Sequence, residues 1–365
     1  MIHGATRPLP SRARFLLKMG AYLLFLCCLW YLLQQLFRLG TELWDRIVER
    51  PGTSIKPYLE GEGCYLGIYR PEAPLDTGTI RGTEQALDRR FSVISIYQAW
   101  GSGEEHRFPA RELTLISNAG YVPMLTWEPW TSEFDQDRFG RRSERSYRSL
   151  RDVAEGCYDS YLRSWARDCM AWGRPLLLRF AHEMNNPRYP WSFATGNTPE
   201  DFTSAWRHVW QVFDQQGCRN VAWVWSPLSA ASMDTYYPGE QWVDWVGVAV
   251  LNYGVTWPPY RWWSFEDLLE VSYQRLAGWR KPILVSEAGT VGESADKGDW
   301  LTATLRSLRP RFPLVRLVVF FDAPNDTSHF PEGVPWAFSN HPSILARMKG
   351  ELTSPWFRSI VPLDN

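Results

Sequence analysis

Two glutamates stand out by what precedes them. The apolar run Leu176 to Phe180 leads into Ala181-His182-Glu183-Met184-Asn185, and the run Ile283 to Val285 leads into Ser286-Glu287-Ala288-Gly289. If each run is a strand, each delivers one carboxyl group at its C-terminal end. Two carboxyls facing each other across a cleft are what cleavage of a glycosidic bond requires: one protonates the leaving oxygen while the other attacks the anomeric carbon or activates water. Spacing alone does not single out this pair. Glu128, Asp234 and Asp322 also follow such runs, and a lone acidic residue is ordinarily a solvated one.

The elements that must position these residues follow from the hydrophobic pattern. Short apolar runs recur at Tyr65 to Tyr69, Phe91 to Tyr97, Val122 to Trp127, Leu176 to Phe180, Val221 to Trp225, Trp245 to Leu251, Ile283 to Val285 and Val315 to Phe321, with helical stretches between them. Continuous apolar runs suit parallel strands buried on both faces, and eight alternations with helices predict an α/β fold, a closed (β/α)8 TIM barrel. One helix is legible in detail. Thr198, Pro199 and Asp201 supply a cap, a first-turn proline and an acidic third position, after which Phe202, Ala205, Trp206, Val209 and Phe213 fall on one face. Working residues of such barrels lie at the C-terminal strand ends, where strands four and seven stand on opposing sides of the ring.

Composition narrows the partners. Lys and Arg total 39 against 40 Asp and Glu, a net charge of -1, so there is no basic field to gather nucleic acid or another polyanion. The 21 Trp, 16 Tyr and 18 Phe supply flat rings that either stack on sugars or fill a core. With no C-x-x-C pair and no histidine cluster, neither a metal nor another cofactor is expected. At the N-terminus, residues 1–14 form a basic tail, and 15–37 form an apolar stretch broken by Lys18, Gln34 and Gln35. That order predicts an uncleaved transmembrane signal anchor, because no small-x-small cleavage site follows it. Residues 38–60, with Pro51, Gly52 and Pro57, read as a linker, and 61–360 as the barrel. The positive-inside rule then places the barrel outside the cytoplasm, periplasmic or extracellular, on a single-pass membrane protein. Cys64, Cys157, Cys169 and Cys218 fall in that exported part and are expected as buried thiols.

From about Gly67 to Asn340 the chain resembles glycoside hydrolase family 26, a β-mannanase family of the large clan of retaining (β/α)8 barrels. The resemblance rests on three blocks in order: RPLLLRFAHEMNNPRYPW from Arg174 to Trp191; NVAWVWSP, YYPG, VDWVGV and LNYG between Asn220 and Gly254; and KPILVSEAG ending at Gly289. It implies Glu183 as general acid/base and Glu287 as nucleophile of a double displacement with retention. His182 would hydrogen-bond the sugar or tune Glu183, Arg179 would offer fixed positive charge below the cleft, and Tyr253 would donate its hydroxyl to Glu287. Trp127, Trp130, Trp225 and Trp336, at strand ends or in the loops after them, are candidate stacking platforms, and Glu128 a contact for a sugar hydroxyl or an arginine. Two departures bear on substrate: Leu228 stands where the family commonly has Asn, and the stretch from Asn186 to Tyr189 differs, with Arg188 bordering the site.

The resulting expectation is an endo-acting β-glycanase on a neutral polysaccharide, mannan or a related β-glucan, with an anchor suited to trimming a polymer during export. The competing class is a catalytically silent glycan-binding or scaffold subunit of an exopolysaccharide synthesis and export complex, against which the presence of Glu183, Glu287, His182 and Tyr253 argues. Transfer of the glycosyl intermediate to a sugar hydroxyl instead of water would use the same residues.

Overall fold

The eight apolar runs become eight parallel strands: β1 Cys64–Tyr69, β2 Val93–Ala99, β3 Val122–Glu128, β4 Leu176–Phe180, β5 Val221–Trp225, β6 Trp245–Asn252, β7 Ile283–Thr290 and β8 Val315–Phe321. Each pairs with the next, and β1 pairs with both β8 and β2, so the ring closes and leaves no edge. A ninth strand, β9 Phe357–Arg358, adds to the start of β1. This is a computed structural model, and it describes Trp30, Gln35 and residues 62–134, 149–328 and 330–359. The expected basic tail and linker, and the expected anchor apart from those two residues, lie outside the described residues. Among the described residues no helix is long and apolar enough to cross a membrane. The chain divides into Met1–Pro51 and Gly52–Asn365, and the barrel belongs to the second unit.

Helices α1 Thr77–Leu87, α2 Ala110–Asn118, α3 Ser149–Ala154, α4 Asp159–Trp172, α5 Pro199–Gln215, α6 Phe265–Gly278, α7 Ser294–Arg311 and α8 Pro342–Glu351 cover the strands. The expected start of α5 is present in full: Asp201 N donates to Thr198 Oγ1 at 3.1 Å and Thr198 N to Asp201 Oδ2 at 2.9 Å, a reciprocal cap of the kind that contributes about 1 kcal/mol. Its apolar face, Trp206 included, is buried. The crossover from β5 to β6 differs from the other seven: its described helical parts are two short turns, Met233–Tyr236 and Glu240–Trp242.

Strand alternation decides which large rings reach the mouth of the barrel. Val224, Leu177, Ala222 and Leu284 point inward to a common interior layer, so their neighbours point outward to the helices. Trp225 is therefore an outward residue: fully buried, it packs against Tyr237 and Trp279 and donates its indole N–H to Tyr236 O at 3.1 Å. Trp127 alternates with the inward Thr126 and stacks on Trp165 of α4 with centroids 4.3 Å apart. Neither ring is a sugar platform, contrary to what strand-end position suggests. Trp336 is also buried, its N–H given to Asp326 Oδ2 at 3.0 Å and its ring packed behind Tyr253. Of the expected thiols, Cys64, Cys169 and Cys218 are buried, whereas Cys157 lies at the surface.

Candidate active site

The two glutamates reach the barrel mouth by different backbone devices. β4 stops at Phe180, and the chain turns through Ala181 at φ 44 and Glu183 at φ 50. Left-handed backbone at a residue with a side chain costs on the order of 1–3 kcal/mol and persists only where the surroundings impose it. Here Ala181 N donates to Trp127 O at 3.0 Å and Glu183 N to Ser226 O at 2.7 Å, which tie the turn to β3 and to the end of β5. In β7, by contrast, the strand runs on through Glu287 to Thr290. Val285 pairs with Val248 but Glu287 with Ala249, so Ser286 is an extra residue, a bulge that breaks the inward–outward alternation and re-aims the glutamate.

Both carboxyls line one cavity of about 680 Å³, within the range typical of ligand sites. Glu287 Oε1 accepts two hydrogen bonds, from Arg179 Nη2 at 2.7 Å and from the Tyr97 hydroxyl at 2.8 Å. Arg179 is fully buried beneath the site, with its Nε given to Thr126 Oγ1 at 2.8 Å and its Nη2 also 3.0 Å from the Tyr97 oxygen. Oε2 of Glu287 has no hydrogen bond among the described residues. Glu183 has a different neighbourhood. Its Oε2 accepts from Asn186 Nδ2 at 2.7 Å, and burial, followed by the charge of Glu287, pushes its pKa up to about 7. A carboxyl that still holds its proton near neutrality can act as an acid. Glu287 instead has a buried guanidinium and a phenol on one oxygen.

Of the other expected residues, Glu128, Trp130 and Tyr253 line this cavity. Glu128 accepts the Trp130 indole N–H at 3.0 Å, and burial raises its pKa. His182 is buried; its Nε2 lies 3.1 Å from the Tyr189 hydroxyl, and its Nδ1 3.9 Å from Glu128, so it supports residues of the cavity wall. The hydroxyl on Glu287 belongs to Tyr97, where Tyr253 was expected; Tyr253 sits higher, packed on Trp336 and Phe330. Tyr97 and Tyr69 are cavity residues that the sequence did not bring forward, while Asn186, Arg188 and Tyr189 of the stretch expected beside the site also line it. For Tyr97 the signal was there, since it closes the second apolar run just as the run before Glu183 closes at Phe180. Leu228 lines the cavity as expected from its position, and its backbone N–H is held by Asn185 Oδ1 at 2.8 Å. Among the described residues no group of His, Cys, Asp and Glu could hold a metal ion.

Residues 158–260, which include Glu183 and Tyr253, match the family model described as glycosyl hydrolase family 26. That stretch of the chain is similar to glycosyl hydrolase family 26. Endoglucanase H of Acetivibrio thermocellus is 26% identical over 294 residues, covering 78% of this chain and 30% of that protein. The mannan endo-1,4-beta-mannosidase of Bacillus subtilis is 24% identical over 162 residues, 42% of this chain and 40% of that one. The chain thus spans well under half the length of either relative. A solved family 26 β-mannanase from Bacteroides ovatus shares the fold, with a TM-score of 0.59 at 16% identity over 82% of this chain and 90% of that one.

Proposed function

We propose that this chain is a retaining endo-β-glycanase acting on a neutral β-linked polysaccharide, with Glu183 as acid/base and Glu287 as nucleophile. The observation that carries the reading is the unequal treatment of two carboxyls in one cavity: Glu287 Oε1 is bound by Arg179 and Tyr97, while Glu183 is buried with its pKa pushed up to about 7. In the first step Glu287 Oε2 attacks the anomeric carbon as Glu183 gives its proton to the departing glycosidic oxygen. The glycosyl ester then forms with Oε1 as its carbonyl, still facing both donors. In the second step Glu183, now ionised, takes a proton from water, the water oxygen bonds to the anomeric carbon, and Glu287 leaves as carboxylate. Trp130 and Tyr69, which line the cavity, offer ring faces to the sugar.

The relatives named as an endoglucanase, a mannan endo-1,4-beta-mannosidase and beta-1,3-xylanases support a β-linked polysaccharide as substrate. The basic-then-apolar order of residues 1–37 supports an anchored protein whose catalytic part works outside the cytoplasm, beside a polymer being exported. The test is reducing-sugar release from β-mannan, mixed-linked β-glucan, carboxymethylcellulose and β-1,3-xylan. Release from one polymer, lowered on the order of 10⁴-fold in both Glu183→Ala and Glu287→Ala, is the expected result. Release that survives either substitution would overturn the assignment, and binding without release from any polymer would favour the silent glycan-binding reading.

A further inference from the structure

Beyond the cavity wall, the loop joining β6 to α6 reads YGVTWPPYRWW from Tyr253 to Trp263, more aromatic than any function assigned to it so far explains. It is a held loop. The fully buried Asn252 accepts at Oδ1 from Gly254 N at 3.2 Å and from Trp263 N at 3.1 Å, so one side chain closes both ends. Asn252 is itself fixed by donating Nδ2 to Thr290 Oγ1 at 2.9 Å, and Trp300 Nε1 donates to Trp263 O at 2.9 Å.

On this frame two rings stand open. The Trp262 indole rests on two glycines: a methyl group on Gly292 would sit 3.2 Å from its Cζ3, and one on Gly254 3.7 Å from its Cε3. A methyl group on Gly292 would press against the ring, whereas one on Gly254 would only touch it, yet Trp262 is still 39% exposed. Tyr260 is 66% exposed and sits at φ 57, left-handed backbone that disfavours a residue of its size, with its N–H given to Trp257 O at 2.7 Å. A buried ring would recover that cost through packing. An exposed one does not, and strain kept at an exposed aromatic points to a use.

The position gives the use. Tyr253 and Pro258 of the same loop line the cavity of Glu183 and Glu287, so the loop that carries the two outward rings also borders that cavity. The one cation between them, Arg261, lies over the Trp263 ring at 3.9 Å. We propose that Trp262 and Tyr260 form an outer glycan-binding platform, on which the neutral β-linked chain leaving the cavity lays sugar faces beyond those being cut. An uncharged pyranose offers aliphatic C–H faces to flat rings, which suits open aromatics on a loop that borders the cavity. The platform rests on the glycanase reading for its ligand, but its action is binding and is measured apart from turnover.

The test is native electrophoresis of the full chain, carrying Glu287→Ala to stop hydrolysis, through gels containing β-mannan or mixed-linked β-glucan. Retardation by one polymer should weaken about tenfold in apparent affinity in Trp262→Ala and be largely restored by Trp262→Phe, which keeps a ring. Tyr260→Gly separates binding from architecture: it relieves the left-handed strain, so thermal stability should hold or rise while retardation falls. Binding unchanged in Trp262→Ala and Tyr260→Gly, or no retardation of the parent by either polymer, would overturn the proposal. So would loss of association with anionic phospholipid vesicles in place of loss of glycan binding, which would give the rings to a lipid surface. Retardation in a chain whose unmutated form releases no reducing sugar would leave the platform standing and sink the catalytic reading alone.

Discussion

The ends of β4 and β7 each present one glutamate to the same cavity, and almost everything else about them differs. β4 breaks off and turns through two left-handed residues, whereas β7 carries its glutamate within the strand on a bulge. Glu183 has an amide donor, and burial raises its pKa; Glu287 has a buried guanidinium and a phenol on one oxygen. Identical side chains acquire different surroundings from what the neighbouring strands place beside them. Arg179 comes from β4 itself and Tyr97 from β2, so the environment of the β7 glutamate is built largely across the barrel axis.

The comparison breaks most readily at Arg179. Arg179→Met should lower kcat about 10²–10³-fold and destabilise the barrel by about 3–5 kcal/mol, because Glu287 would lose its buried partner. Near-normal kinetics and melting would mean that the guanidinium does not hold the anion. Tyr97→Phe removes one hydrogen bond to a charged oxygen and should lower kcat about 10–100-fold, while Tyr253→Phe, off that oxygen, should change kcat by less than about threefold. The reverse ranking in steady-state kinetics would return the role to Tyr253. Asn186→Ala removes a donor to ionised Glu183 and so raises its pKa further. With Glu183 as the proposed acid, activity should fall as pH rises through about 7; this basic limb should move upward in the variant, and a static or lowered limb would count against Glu183 as the acid. The smallest effect is on stability. The folded pKa of about 7 exceeds that of an unfolded glutamate, so the folded state binds the extra proton, and stability falls as pH rises from about 4.3 towards 7. Chemical denaturation of Glu183→Gln over that interval should show a flatter slope.

What could be read in advance follows from which signals are local. All eight strands were legible because each is a continuous apolar run, and the cap of α5 because Thr198, Pro199 and Asp201 are adjacent in sequence. That Glu183 and Glu287 share one cavity was within reach because each follows an apolar run, and strand ends line the mouth of such barrels. The tryptophans were not, since a ring at a strand end points inward or outward by one residue of parity, and Trp127 and Trp225 fall on the outward side. Tyr97 required knowing that β2 sends a hydroxyl across the mouth to β7, a relation between residues 190 positions apart.

The crossover from β5 to β6, which lacks a covering α-helix among the described residues, gives the barrel a seam. Its two strands pair only at Val224 with Trp245 and Trp225 with Val246, whereas β6 and β7 pair at seven positions. Amides shielded by fewer partners open through smaller fluctuations. In hydrogen exchange, deuterium should therefore enter β5 (Val221–Trp225) and the start of β6 before it enters the rest of β6 from Gly247 and β7, so that unfolding begins as an unzipping beside the strand whose end holds the Glu183 turn in place.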